Sequence, residues 1–360
     1  MKMILRWFPE GDDSVSLKQI KQIPGVSGVA TCLNKIPVGE VWPLERLQAL
    51  KREVNSAGLE MEVIESVNIH EDIKKGLPSR EGYIKNYIET IKNISAVGIK
   101  CLCYNFMPVM DWARSDLAYE LADGSTVMAY RHDQVLAMNP VSMADSMFGK
   151  SQGYSLPGWE PERLEEMGEN IAFYSTVSKE RYWENMKYFL DSVIPFAEEY
   201  DVKMGMHPDD PPWDLYGLPK VITSAENIRT FLSLNESSYN GLTLCTGSLG
   251  ARLDNDIPSI IREFASQDRI PFAHLRNIKH TSPTDFNETA HLSECGDQDM
   301  FENVCAFHDS GFTGYVRPDH GRMIWDEQAR PGYGLYDRAL GANYILGLWE
   351  AIEKMKKRIK

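Results

Sequence analysis

No run of about 18 consecutive apolar residues occurs in this chain, so no transmembrane helix is expected. The apolar opening Met1-Lys2-Met3-Ile4-Leu5-Arg6-Trp7-Phe8 is too short for a secretory signal and reads as a first buried strand. A basic excess is also missing. Lys and Arg number 38 against 52 Asp and Glu, giving a formal charge of −14. Such a field repels phosphate backbones and anionic lipid, which argues against nucleic-acid and membrane-surface roles. Cysteine is sparse: Cys32, Cys101, Cys103, Cys245, Cys295 and Cys305 follow no framework spacing. That suits reduced thiols in the cytoplasm better than disulfides, and the Asn-x-Ser/Thr matches at Asn93, Asn235 and Asn287 then carry no weight. There is no Walker loop, dinucleotide fingerprint, EF-hand loop or His-Glu-x-x-His helix. Gly247-Ser248-Leu249-Gly250 is too short to cradle a phosphate and reads as a strand-to-helix turn.

What the chain does have is an alternation of short β-rich runs with amphipathic segments. The runs are Met3–Trp7, Gly28–Cys32, Met61–Ser66, Lys100–Asn105, Lys203–His207, Leu242–Thr246, Phe272–Arg276 and Gly314–Arg317. Most are apolar on both faces, as parallel strands covered by helices require. Helical segments are expected at Ser16–Ile23, Leu44–Ser56, Arg80–Ile94, Lys179–Glu199, Ala225–Leu234, Pro258–Ser266 and Tyr336–Met355. Eight βα repeats predict an α/β fold closed into a (β/α)8 TIM barrel. With no linker or internal repeat visible, residues 1–360 read as one catalytic domain. The stretch 106–177 breaks the rhythm with Pro108, Gly124, Pro140, Gly149, Pro157, Gly158 and Pro161. It reads as a long insertion after the fourth strand, at the C-terminal face of the barrel, either covering a site or merely excursing over the surface.

Possible metal ligands sit at or near the ends of predicted strands. His207 closes the fifth, Cys245 and His274 lie in the sixth and seventh, and Asp319 follows the eighth. The steps between them are 38, 29 and 45 residues, each long enough for one βα unit of roughly 30 residues or more. All four would then project from the barrel mouth where such enzymes place their sites. Two imidazoles, a thiolate and a carboxylate can hold a divalent ion with positions left for substrate. Taken singly, a His or Cys ending a strand is more often a packed residue than a ligand. Cys101 and Cys103 alternate on one strand and fit plain burial.

An anionic, hydroxylated ligand would need local positive charge and hydrogen bonds. Arg6 and Trp7 end the first strand, Asn105 the fourth, and Arg276-Asn277 follow His274, while Arg317 and Arg322 flank Asp319-His320. The planar guanidinium fork suits a carboxylate, and Arg276 and Arg322 lie nearest the metal-ligand candidates.

Several longer segments carry a family resemblance. They include Val63-Ile64-Glu65-Ser66-Val67-Asn68-Ile69-His70-Glu71-Asp72, Cys103-Tyr104-Asn105-Phe106-Met107-Pro108-Val109 and Arg114-Ser115-Asp116. Others are His207-Pro208-Asp209-Asp210-Pro211-Pro212, Glu288-Thr289-Ala290-His291-Leu292, Arg317-Pro318-Asp319-His320-Gly321-Arg322 and Pro331-Gly332-Tyr333-Gly334-Leu335-Tyr336. On these the chain resembles the D-mannonate dehydratases from its first strand to its last helix. The resemblance implies a xylose-isomerase-like barrel and a lyase that converts D-mannonate to 2-keto-3-deoxy-D-gluconate in glucuronate catabolism. It further implies a divalent metal, commonly manganese(II) with iron(II) as the alternative, held by His207, Cys245, His274 and Asp319. His320 and Tyr333 are implied as the acid–base pair, with Tyr336 the other tyrosine to consider, and Arg6, Trp7, Asn105, Arg276, Asn277 and Arg322 are candidates to bind substrate. A cytoplasmic homodimer is expected on the same grounds. A metal-dependent sugar isomerase on this barrel, expelling no water, and a non-catalytic sugar-acid binder are the competing readings.

Overall fold

Short strands that are apolar on both faces must be covered on both, and here they are. The computed structural model describes residues 1–140, 147, 149–156 and 158–359. Residues 141–146, 148 and 157 of the predicted 106–177 insertion lie outside the described residues. In chain order the strands are β1 (Lys2–Arg6), β2 (Val26–Thr31), β3 (Glu60–Glu65), β4 (Cys101–Tyr104), β5 (Asp116–Glu120) and β6 (Thr126–Tyr130). They continue as β7 (Lys203–Met206), β8 (Asn240–Cys245), β9 (Phe272–Leu275), β10 (Ile278–Ser282), β11 (Asp285–Glu288) and β12 (Tyr315–Pro318).

Eight of these close into a parallel barrel in the order β1-β12-β9-β8-β7-β4-β3-β2. The eight predicted strands are these eight, with bounds differing by a residue or two at their ends. Ile4, Ala30, Val63, Cys101, Cys103 and Phe272 pack together as the barrel interior. Because side chains alternate along a strand, the residues two further on from Ile4, Val63 and Phe272 are Arg6, Glu65 and His274. The barrel core is thus apolar at its lower end and charged at its mouth.

Helices complete the outer layer. Ser178 caps Lys179–Glu199 by accepting from the Arg181 N–H, and that helix buries Tyr182, Met186, Phe189, Leu190 and Val193. Leu44–Ser56 buries Leu47, Leu50 and Val54, and Ala225–Leu234 buries Ile228, Phe231 and Leu232. Each such side chain contributes about 1.5–3 kcal/mol. The expected turn at Gly247 is a one-turn helix, Thr246–Gly250, running straight off β8. A helix at Met300–Asp309 was not anticipated, although Asp299 caps it by accepting from the Phe301 and Glu302 N–H groups.

The larger surprise is a second sheet. Strands β5 and β6 from the insertion join β10 and β11 in an antiparallel sheet of order β10-β11-β6-β5. Phe286 pairs with Tyr130 and Asn287 with Ala129, so two excursions from different barrel strands make one unit. Strands this short, with mixed polar and apolar residues, carry no clear period of their own.

The insertion is also anchored by buried charge. Glu71 accepts from Lys74 Nζ at 2.8 Å, from the Val109 N–H at 3.2 Å and from Tyr174 Oη at 2.7 Å. Arg163, in the helix Pro161–Glu165, pairs with Asp111 at 2.9 Å and Glu160 at 3.2 Å. Burial alone would raise the Glu71 carboxyl; Lys74 and Arg163 outweigh it and hold the group below its ordinary value. A carboxyl lowered in this way adds stability above its unfolded pKa, and that stability is lost as pH falls through the folded value. Glu71→Gln would leave Lys74 without its anionic partner. It should cost about 3–5 kcal/mol in urea unfolding at pH 7. The gap between the two proteins should narrow as pH falls below about 4.5, the carboxyl's ordinary value.

Candidate active site

The barrel's register sets the site. Cys245 is the neighbour of His274 across β8 and β9, and His274 is the neighbour of Arg317 across β9 and β12. His207 stands directly after β7, and Asp319 directly after β12. Ligand-capable atoms of His207, Cys245 and His274 all lie within 4.8 Å of one another. Cys245 Sγ is 3.6 Å from Asp319 Oδ2, and His274 Nδ1 is 4.0 Å from Asp319 Oδ1. The four residues separated by βα spacing in the sequence therefore converge.

Their chemistry fits a divalent cation. His207 Nδ1 is 2.7 Å from the Pro208 carbonyl, which can only accept, so the proton sits on Nδ1 and Nε2 is a free lone pair. His274 Nε2 is buried without a hydrogen-bond partner, and Asp319 Oδ1 is ion-paired with Arg317 Nη1 at 2.6 Å. Burial, and after it Arg317, pushes His274 well below the ordinary imidazole range, which keeps it neutral. Burial opposes ionisation of Asp319, but Arg317, His320 and Arg276 hold it well below the usual carboxylate range. Cys245 alone is unready: burial raises its thiol to about 11, so a nearby cation would be needed to make it a thiolate. A second group, Glu65, Cys103 and His274, is equally close. Its carboxylate already faces Arg317 Nε at 3.1 Å, and burial keeps the Cys103 thiol protonated. Arg317 Nη1 is also 2.6 Å from Asp319 Oδ1, so the two groups share one guanidinium.

Above the cluster lies a cavity of about 130 Å³. By volume it admits on the order of ten water-sized groups, which suits a small sugar acid. Arg6, Asn105, His207, Asp210, His274 and Tyr333 are among the residues lining it, with Met128 of β6 and Leu156 of the insertion. Arg6 is 1% exposed; one of its terminal nitrogens donates to Ser66 at 3.2 Å and the other, Nη1, has no hydrogen-bond acceptor.

Beside the cavity two arginines and two carboxylates form a buried, charge-balanced quartet. Arg114 donates to both oxygens of Asp210 at 2.8 and 3.0 Å, and to Glu288 Oε1 at 2.8 Å. Arg276 donates to Asp210 at 2.7 Å, to Ser248 at 3.0 Å and to Glu288 at 3.0 Å. Against the cost of burial, these guanidiniums hold Asp210 well below the usual range. Glu288 is brought down to about 2, by His320, Arg276 and Arg114 together.

Glu288 supports a histidine. His320 Nδ1 is 3.0 Å from each oxygen of Glu288, and its Nε2 is 3.2 Å from Tyr333 Oη. Burial lifts the Tyr333 phenol above its ordinary pKa despite Arg317, so the hydroxyl stays protonated. Tyr336 is 41% exposed and packs against Trp325 instead.

The chain from residue 1 to 359 matches the family model described as D-mannonate dehydratase (UxuA). This chain belongs to the D-mannonate dehydratase family. Mannonate dehydratase of Thermotoga neapolitana is 57% identical over 99% of both chains. That of Geobacillus thermodenitrificans is 53% identical over 99% of this chain and 96% of its own. The crystal structure of mannonate dehydratase from Streptococcus suis serotype 2 superposes with a TM-score of 0.90 at 44% identity, covering 99% of this chain and 96% of the other. A xylose isomerase domain protein from Planctomyces limnophilus, at 12% identity and a TM-score of 0.55, shares the barrel fold.

Within this family member the predicted substrate-binding residues divide. Arg6, Asn105 and Arg276 line the cavity, whereas Trp7, Asn277 and Arg322 are not among its lining residues. Trp7 lies one residue past β1 and donates its indole N–H to the Val15 carbonyl. Asn277 is spent on backbone groups, accepting from the Ile278 and Gln298 N–H groups and donating to the Leu292 carbonyl. Arg322 pairs with Asp337 and Asp123 at 3.0 Å each. Arg276 reaches the cavity with its terminal nitrogens already donating to carboxylates, so it shapes the site rather than offering a free fork. Sequence reasoning did not single out Asp210, Glu288, Arg114 or Glu65 for the site, although each stands inside a segment carrying the family resemblance. Asp210→Asn should leave the two guanidiniums with Glu288 alone of the quartet's two carboxylates. We expect it to lower unfolding free energy by about 3–5 kcal/mol in guanidinium titration.

Proposed function

We propose that this enzyme is a hydro-lyase acting on D-mannonate, releasing water and 2-keto-3-deoxy-D-gluconate, as a step in glucuronate catabolism. The observation that carries this reading is the His320–Tyr333 contact at 3.2 Å, set against four converging ligand candidates, of which His207, His274 and Asp319 line a cavity of sugar-acid size. Membership of the family supplies the reaction, and the names of relatives at 57% and 53% identity supply the substrate.

Removing water from a 2,3-dihydroxy acid requires loss of the C2 proton and departure of the C3 hydroxyl. His207, Cys245, His274 and Asp319 would hold a divalent cation, manganese(II) by family resemblance with iron(II) as the alternative. When bound, it would supply Lewis-acid stabilisation of the negative charge that develops next to the substrate carboxylate. His320 and Tyr333 exchange the two protons, one taking the C2 proton and the other protonating the leaving C3 oxygen. Arg6, whose Nη1 has Glu65 at 3.7 Å but no hydrogen-bond acceptor, donates to a substrate oxygen, and Asn105 lines the same cavity. Arg276 orients His320 and Asp210 rather than the substrate. Among the described residues no helix is long and apolar enough to cross a membrane. A homodimer working in the cytoplasm completes the reading.

The deciding experiment follows 2-keto acid formation from D-mannonate in metal-stripped protein before and after manganese(II) is restored. Turnover only with metal is the expected result; full turnover after exhaustive chelation would sink the scheme. His320→Asn and Tyr333→Phe should each lower kcat by about 10²–10⁴. His207→Ala and Cys245→Ser should lose bound metal, read by elemental analysis of the dialysed protein, with the barrel's circular dichroism retained.

A further inference from the structure

His320 has two faces, and the charges around it distinguish them. Nδ1 is 3.0 Å from Oε1 and 3.0 Å from Oε2 of Glu288. It is also 3.0 Å from Arg276 Nη1, which is itself 3.0 Å from Glu288 Oε1. A bare Nδ1 could accept from Arg276 Nη1, but it would set its lone pair against two carboxylate oxygens. A protonated Nδ1 donates to them, and the Arg276 hydrogens go to the same carboxylate. The second arrangement gives the Nδ1 hydrogen and the Arg276 Nη1 hydrogen an acceptor each on Glu288.

We infer that Glu288 is a positioning residue that holds the proton of His320 on Nδ1, leaving Nε2 bare toward the cavity and making His320 the acceptor of the C2 proton. The inference rests on the acid–base reading of His320 and Tyr333 and divides the two roles between them. Glu288 suits the task because it is 3% exposed and fixed from behind by Arg114, at 2.8 Å, and by Arg276. Arg276 and Arg114 are among the groups that lower its carboxyl below the ordinary value, so it stays an acceptor. The residue closes β11, so the outer sheet carries the support for a side chain on the barrel mouth.

The step then balances. The C2–H bond breaks and its proton forms an N–H bond at Nε2. The electron pair becomes the C2=C3 bond as the C3–O bond breaks, and Tyr333 Oη gives its proton to the departing hydroxyl, which leaves as water. The enol so formed ketonises to the 2-keto acid. Tyr333 Oη and His320 Nε2 are 3.2 Å apart, so the proton on Nε2 returns to the phenolate directly and restores both residues. A base misoriented or in the wrong tautomer loses about 10⁴ in kcat in the Ser-His-Asp triad, which sets the scale expected here.

The test combines nitrogen-15 NMR with kinetics on the full-length protein. Histidine-labelled wild type, with and without zinc(II), should show the His320 signal, identified by its loss in His320→Asn, protonated at Nδ1 and bare at Nε2. Glu288→Gln should lower kcat by about 100-fold or more while KM moves less than threefold, and Glu288→Asp should recover part of that loss. A wild-type His320 carrying its proton on Nε2 would overturn the inference whether or not Glu288→Gln folds. So would Glu288→Gln with kcat within threefold of wild type. Unchanged turnover in His320→Asn is a different failure, because it removes the acid–base reading itself, even where Nδ1 proves protonated.

Discussion

Two guanidiniums and two carboxylates, all buried, stand between the barrel mouth and the outer sheet, and each needs the others. An unpaired charge in that position would cost several kcal/mol, whereas the balanced set satisfies both Arg114 and Arg276 with short hydrogen bonds. Its members come from four places: Arg114 from the insertion, Asp210 from the loop after β7, Arg276 from the end of β9 and Glu288 from the end of β11. The quartet therefore sets where the loops may lie. Ser248, on the one-turn helix after Cys245, joins it through Asp210 at 3.1 Å and Arg276 at 3.0 Å. Ser248 Oγ also reaches Cys245 Sγ at 3.1 Å, linking the charge network to the metal-ligand candidates.

Much of this was legible in the sequence. Strands buried on both faces advertise themselves as apolar runs, and the spacing from His207 to Asp319 gives the barrel positions of four residues that do converge. Helices with a strong apolar face, such as Leu44–Ser56, Lys179–Glu199 and Ala225–Leu234, have their predicted bounds. The outer sheet was not legible, because the pairing of β6 with β11 joins residues 156 and 158 positions apart and nothing local encodes it. For the same reason Glu288 was marked by nothing beyond its place in a family-like segment, and Trp7, Asn277 and Arg322 looked nearer the cavity than they are. Proximity in sequence to a strand end does not say which way a side chain turns. Trp7 falls one residue beyond the inward-facing Arg6, and that single step moves it out of the lining.

Tyr333 and Tyr336 illustrate what the last loop decides. Both stand in one segment, three residues apart, yet only Tyr333 meets His320 while Tyr336 faces solvent beside Trp325. Arg338 explains the difference. It is fully buried and donates to the Tyr333 and Gly334 carbonyls and to the Arg6 carbonyl at 2.8 Å. One side chain thus ties the loop carrying the tyrosine to the strand carrying the arginine.

The outer sheet links pocket shape to chemistry. Met128 of β6 lines the cavity and Glu288 of β11 braces His320, and the two strands are hydrogen-bonded neighbours. A change in the tilt of that sheet moves part of the cavity lining and the brace behind the histidine together. Altering the size of molecule admitted, by changes in β6, would then also alter the alignment of the group that removes its proton. Substrate range in this architecture is mechanically coupled to rate, and drift in one cannot proceed far without compensation in the other.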